Sequence, residues 1–265
     1  MSTYLFEHTW DEERRRLDLL EAVFDPGTHA SLGRLPLPGG ARCLEVGAGA
    51  GSIARWLCER VGPGGRVVAT DLDTGFLEGL TEENLQVLRH DIAVDHLDEG
   101  HYDLIHARLV LMHIPERDQV LRRLVAALRP GGWLMVEDFD WSSLQAAPGS
   151  TAEALHTRLY EALGVVFTSV GASVEYGRRL PLDFRAAGLV AIGAEARVHV
   201  PTGGSPAAAW WRLSMAKLRE PLLRTGRLTE EEIDEALGAC DDERFCAFYP
   251  MLVTAWGQRP GPSPA

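Results

Sequence analysis

No stretch of this chain approaches the ~20 apolar residues needed to cross a bilayer, and charges interrupt the segment from Met1 to Glu21. Neither a membrane span nor a secretory leader is expected, and the reading is a cytoplasmic protein. Cysteine is scarce: Cys43, Cys58, Cys240 and Cys246 form no C-x-x-C pair, so reduced structural thiols are expected and no metal site. Basic charge is short too. With 26 Lys and Arg against 38 Asp and Glu, the formal net charge of −12 works against a nucleic-acid or anionic-membrane partner. Arg14-Arg15-Arg16 does not reverse this, because it continues the charged helical pattern Trp10-Asp11-Glu12-Glu13 and reads as a solvated helix face rather than a phosphate clamp.

What is present is enough apolar material, 46% of 265 residues, for one large α/β domain with helical additions. The chain is organised around residues 42–57. Cys43 to Val46 reads as a strand, Gly47, Gly49 and Gly51 as a turn, and Ile53, Trp56 and Leu57 as the start of a helix. Glycines there let a ligand approach bare backbone, and the first N–H groups of the helix point into the gap. A nucleotide-like ligand is expected.

Leu44-Glu45-Val46-Gly47-Ala48-Gly49-Ala50-Gly51 resembles the first motif of the class I S-adenosylmethionine (SAM) dependent methyltransferases, in which an acidic residue precedes a G-x-G-x-G turn by two places. A dinucleotide fingerprint would read G-x-G-x-x-G, whereas Ser52 stands where its third small residue belongs. Leu128-Arg129-Pro130-Gly131-Gly132-Trp133-Leu134 is equally typical of the family, so specific resemblance runs from Cys43 to Val136. It points to the small-molecule, natural-product branch. The resemblance implies a Rossmann-like, seven-stranded, mostly parallel sheet with an antiparallel last strand, flanked by helices and elaborated by an N-terminal helix and helical lid insertions. It also implies SAM as methyl donor, S-adenosylhomocysteine as product, and donor contacts from Glu45, Gly47, Ala48 and Gly49.

Further along, a second strand from Arg66 stops at Asp71. A carboxylate there can accept both ribose hydroxyls, with Leu72 beside it in the donor site. Asp73 reads as the N-cap of a helix beginning near Thr74. After a third strand, Leu85 to Arg89, the resemblance gives Asp91 the adenine amino group and Ile92 a ring nitrogen; the alternative is that Asp91 only turns the chain. The fourth strand, Tyr102 to Ala107, is followed by Arg108; by resemblance Ala107 and Arg108 match the place where a backbone carbonyl meets the methionyl ammonium, although Arg108 is bulkier than usual there. His113 matches a histidine found in relatives. It is a candidate general base, with a hydrogen-bonded packing residue as the competing reading.

A helix bearing Val120, Leu121, Leu124, Val125 and Leu128 is expected to stop at Pro130-Gly131-Gly132, before a fifth strand from Trp133 to Val136. Glu137 and Asp138, with Asp140 nearby, are candidates to orient an acceptor or act as a base, against capping or solvation. Upstream, the N-terminal helix is expected to end at Asp25-Pro26-Gly27, and Tyr4, Phe6, His8 and Trp10 before it either pack on the domain or touch ligand. Downstream come helices near 151–170 and 176–187, a sixth strand from Val190 to Val200, a helix carrying Trp210 and Trp211, a capping box at Thr229 and Glu232, and a last strand within Phe248 to Trp256. Trp210 and Trp211 are either pocket or core.

The expected organisation is a single domain, with an N-terminal segment at 1–40, a donor-binding core at 41–147, and insertions at 148–176 and 204–245 forming an acceptor lid. The leading reading is transfer of a methyl group from SAM to an oxygen, nitrogen or carbon of a small organic acceptor of secondary-metabolite type. The alternatives are a SAM-fold binding or non-methylating relative, and a nicotinamide-dependent oxidoreductase. Monomer and homodimer both remain open.

Overall fold

Short aliphatic runs bounded by glycine or charge become strands because burial on both faces suits them to the centre of a parallel sheet. The computed structural model describes residues 12–261, so Tyr4, Phe6, His8 and Trp10 lie outside the described residues. Helix α1 (Glu13–Leu32) leads into β1 (Arg42–Val46), α2 (Ser52–Val61), β2 (Arg66–Asp71), β3 (Leu85–Arg89), β4 (Tyr102–Arg108), α3 (Arg117–Ala127) and β5 (Leu128–Asp140). There follow β6 (Gln145–Ala146), α4 (Glu153–Ser169), α5 (Tyr176–Ala186), β7 (Val190–Arg197), α6 (Pro206–Lys217), α7 (Arg219–Arg224), α8 (Glu230–Ala239), β8 (Ala247–Phe248) and β9 (Met251–Gln258).

The main sheet has the order β3-β2-β1-β4-β5-β9-β7. Its last strand, β9, runs antiparallel to both β5 and β7, while β1 to β5 pair in parallel. This is the seven-stranded arrangement expected. Alternation along β1 sends Cys43 into the core packed under α2 and Leu44 into the core under α3 and α4, so the sheet is buried on both sides. Strand order reverses between β1 and β4, and the carboxyl ends flanking such a switch form the crevice where open α/β sheets take ligands. Among the described residues, no helix is long and apolar enough to cross a membrane.

Several boundaries differ from expectation, each for a tertiary reason. Helix α1 does not stop at Asp25-Pro26-Gly27; Pro26 lies inside it. Proline removes one intrahelical bond, but Phe24, Thr28, Ser31 and Leu32 beyond or beside it are all buried and hold the extension down. The helix expected near Thr74 is a single 3₁₀ turn, Gly75–Leu77, and Asp73 serves it by accepting from the Gly75 N–H at 2.9 Å. Leu128 and the Pro130-Gly131-Gly132 break belong to β5 rather than to a helix end. Gly131 takes φ +82, and a Cβ on Gly132 would meet the Tyr102 carbonyl at 2.8 Å, so glycines let β5 cross the irregular start of β4. The sixth strand ends at Arg197, short of Val200. The box at Thr229 and Glu232 opens α8 with both reciprocal bonds made.

Candidate functional site

The turn after β1 is built by its glycines. Gly47, Gly49 and Gly51 take φ of 70, 57 and 90, and a Cβ on Gly47 would stand 2.4 Å from Val110 Cγ2. The Gly47 and Ala48 N–H groups donate to the Thr70 carbonyl, and Gly49 N–H donates to Asp71 Oδ2 at 2.9 Å. Asp71 therefore braces the turn from the end of β2. Helix α2 starts without a side-chain cap of its own. Glu21 of α1 reaches its first N–H, at Ser52, over 3.4 Å.

Around this turn opens a cavity of about 800 Å³, within the range that holds small-molecule ligands. Glu45, Gly47, Ala48, Gly49, Asp71, Leu72, Asp91, Ile92 and Arg108 all line it. Ala107 is fully buried and lies behind the wall. The cavity continues past β4 into a chamber walled by Met112, His113, Phe139, Trp141, Phe167, Trp210, Trp211 and Met215. Trp210 and Trp211 are both core and wall: at 4% and 3% exposure they pack on Phe24, Tyr160 and Tyr249 while bordering the space.

Sheet register assembles a polar network beneath the cavity. Glu45 on β1 is level with His106 on β4, and Glu137 on β5 is level with Thr254 on β9. His106 Nδ1 lies 2.7 Å from Glu45 Oε2, and Nε2 lies 3.3 Å from Glu137 Oε2. Thr28 and Thr254 donate to Glu137 at 2.5 and 2.6 Å. From the cavity side, Arg108 donates to Thr28 Oγ1 at 2.9 Å and to Asp25 Oδ1 at 2.8 Å. Burial alone would strip the proton from His106, but Glu45 and Glu137 outweigh it and push its pKa up to about 9. Glu137 is held down at about 2: burial opposes this, and His106, Arg108 and Thr254 overcome it. Burial raises the Glu45 carboxyl against the pull of His106 and Arg108.

Two acidic candidates are elsewhere than expected. Glu137 and Asp138 are neither solvated nor in the cavity wall, being inside β5 at 0% exposure. The strand runs four residues further than its apolar stretch, to Asp140, because Glu137 finds the threonines and His106 while Asp138 accepts from the Met112 N–H at 3.3 Å. Asp140 is also buried and is clasped by Arg178. Arg16 is not solvated either. It is buried against Glu13 at 2.7 Å, with Lys217 on the same carboxylate at 2.8 Å, and it borders the cavity. His113, the candidate general base, is in the chamber wall, but burial, Arg16 and Arg117 push its pKa down to about 4. It is a neutral, weakly basic imidazole at neutral pH.

The wall contributed by Arg16, Leu17, Leu20 and Glu21 was not singled out by sequence reasoning, although their spacing of three and four along one helix marks a common face. Phe139, Trp141 and Phe167 were missed because single aromatics carry no local signal. The cysteines are unbonded; burial raises Cys58 to about 11 and Cys240 to about 12, which leaves inert thiols. Among the described residues, no cluster of three or more His, Cys, Asp or Glu could hold a metal ion.

Residues 44–134 match the sequence model of a family described as a methyltransferase domain. "Methyltransferase str2" of Strobilurus tenacellus is 33% identical over 116 residues, covering 41% of this chain and 40% of that protein. The trans-aconitate 2-methyltransferase of Variovorax paradoxus is 36% identical over 108 residues, covering 40% of this chain and 41% of that protein. The alignments thus span less than half the length of these curated relatives. Among solved structures, phosphoethanolamine N-methyltransferase 2 of Haemonchus contortus, in complex with phosphomonomethylethanolamine and S-adenosylhomocysteine, aligns with TM-score 0.61 at 15% identity, over 98% of this chain and 60% of that one. The [4+2]-cyclase SpnF aligns with TM-score 0.54 at 18% identity, over 90% and 81%. Such structural likenesses speak for the fold alone.

Proposed function

We propose that this chain, which belongs to the class I SAM-dependent methyltransferases, transfers the methyl group of SAM to an oxygen, nitrogen or carbon of a small organic acceptor. One observation carries this reading: a single continuous cavity joins the braced glycine turn to an aromatic-walled chamber, so that two ligands can meet end to end. The turn suits the donor, because Gly47 and Gly49 border the cavity with bare backbone that a ligand can approach closely. Asp71 is placed for ribose hydroxyls, a carboxylate oxygen being able to accept from more than one donor, and Asp91 and Ile92 stand ready for adenine. Toward the switch point, Glu45 and Arg108 offer opposite charges to the ammonium and carboxylate of the methionyl end.

Bound there, SAM supplies an electrophilic methyl group on a sulfonium, a chemistry that needs positioning more than acid–base assistance. The chain's part is to align the acceptor and exclude water. The aromatic wall suits a flat or apolar acceptor, and helices from the insertions at 148–176 and 204–245 form its cover, consistent with a lid. The small-molecule character of the trans-aconitate enzyme, over the segment it shares with this chain, agrees with that class of acceptor.

Calorimetry with S-adenosylhomocysteine and with reduced nicotinamide dinucleotide, followed by incubation with methyl-labelled SAM and a fractionated metabolite extract, tests the proposal. Tight binding of the first ligand only, with label appearing in an organic fraction, is the expected result. Nicotinamide binding would return the chain to the oxidoreductases. Binding without any labelled product would assign it to the non-methylating relatives.

A further inference from the structure

The group beneath the donor site that the proposed reaction does not yet use is His106. It is fully buried inside β4, absent from the cavity wall, and stands between two carboxylates. Each ring nitrogen faces a carboxylate oxygen, and ionised carboxylates can only accept. With both carboxylates ionised, both contacts are hydrogen bonds only if both nitrogens carry protons, which makes the ring an imidazolium. A fully buried Glu45 with no such neighbour would be driven toward its neutral acid, which offers little to a cation.

We infer that His106 is a positioning residue for the donor: its imidazolium, bridging Glu45 and Glu137, keeps Glu45 ionised and aimed at the ammonium of the methionyl end. The inference rests on the donor reading above. Glu137 is the fixed anchor of the bridge, since Thr28 from α1 and Thr254 from β9 occupy its oxygens and prevent it from turning away. Glu45 is the working end, because it alone of the three lines the cavity. The remaining charged or titratable groups facing this centre are Arg108 from β4 and Glu21, Asp25 and His29 from α1. Burial keeps His29 neutral, and Arg108, which also pulls on Glu45, is paired with Asp25, so among the described residues His106 is the cation in hydrogen-bond contact with Glu45.

The test compares two ligands that differ only at the end in question. S-adenosylhomocysteine carries the amino-acid group; methylthioadenosine keeps the nucleoside and lacks it. In H106Q, affinity for S-adenosylhomocysteine at pH 7 should fall by about tenfold or more, the usual scale for a lost charge-assisted contact, while methylthioadenosine affinity holds within about twofold. Between pH 6 and 8 the wild type should bind S-adenosylhomocysteine with constant affinity. The variant should recover affinity as pH rises, because Glu45 then ionises without help. Equal losses for both ligands, or none, in a wild-type background that binds both would overturn the inference alone. A wild type that binds neither would remove the donor reading and this inference with it. Should H106Q not fold, nitrogen spectra of histidine-labelled wild type decide: one of the nine histidines must remain doubly protonated at pH 8, and a spectrum with none overturns the assignment.

Discussion

Gly47 has no room for a methyl group, for two separable reasons. An added Cβ would overlap Val110 Cγ2 at 2.4 Å, and the backbone sits at φ +70, where an L side chain costs about 1–2 kcal/mol. Gly47→Ala should therefore weaken S-adenosylhomocysteine binding by at least about tenfold on these costs. Adding Val110→Ala separates the causes: recovery of most of the affinity identifies the collision, and no recovery identifies the backbone. Calorimetry on both variants gives the answer, and unaltered binding in Gly47→Ala would show that the turn does not hold the donor. The glycine pattern was legible because each position answers a local backbone demand. The side chains beneath it were not, since nothing in Ile105-His106-Ala107 announces that sheet register will place the imidazole level with Glu45.

At the scale of elements, α1 shows tertiary contacts overruling a local stop signal. Asp25-Pro26-Gly27 is a sound helix terminator, yet the helix carries on because residues beyond it meet the sheet. Thr28 is the central contact, donating to Glu137 at 2.5 Å and accepting from Arg108 at 2.9 Å, with all three side chains buried or nearly so. Thr28→Val keeps the shape and removes both bonds, stranding polar partners away from water. We expect a loss of about 1–3 kcal/mol in unfolding free energy, the range for a buried group left unsatisfied, together with faster amide exchange in α1 beyond Pro26. A denaturant midpoint that does not move would mean that packing of Phe24 and Leu32 alone secures the helix. Likewise β5 runs to Asp140 through three acidic residues that, from sequence, end a strand. Each finds a partner supplied by a distant element, and such partners are invisible to local pattern.

Across the whole molecule, the strands, the glycine turn and most helices were readable, because strand periodicity and turn glycines are repeated local features, while the layout of the sheet followed from the family resemblance. The acceptor chamber was only partly readable: Trp210 and Trp211 stood out as a pair, but their neighbours come singly from β5, α4 and the turn after β5. The same long-range assembly sets how the fold responds to acid. His113 is neutral in the folded chain, with its pKa pushed down to about 4, below the ordinary value of 6.5, by burial and by Arg16 and Arg117. A depressed folded value means that the unfolded chain binds the proton more tightly. The stabilising contribution is therefore complete above about pH 6.5 and is lost as pH falls through about 4. Glu137, held near 2, loses its contribution only below its ordinary value of 4.5, so His113 acts first. Between pH 6.5 and 4.5, His113→Gln should gain on the wild type by up to about 1.4 kcal/mol per pH unit, the limit for one proton. Chemical unfolding at half-unit intervals of pH measures that slope directly. Parallel curves for the two proteins would show that His113 meets water more freely than its place between Phe167 and the arginines implies.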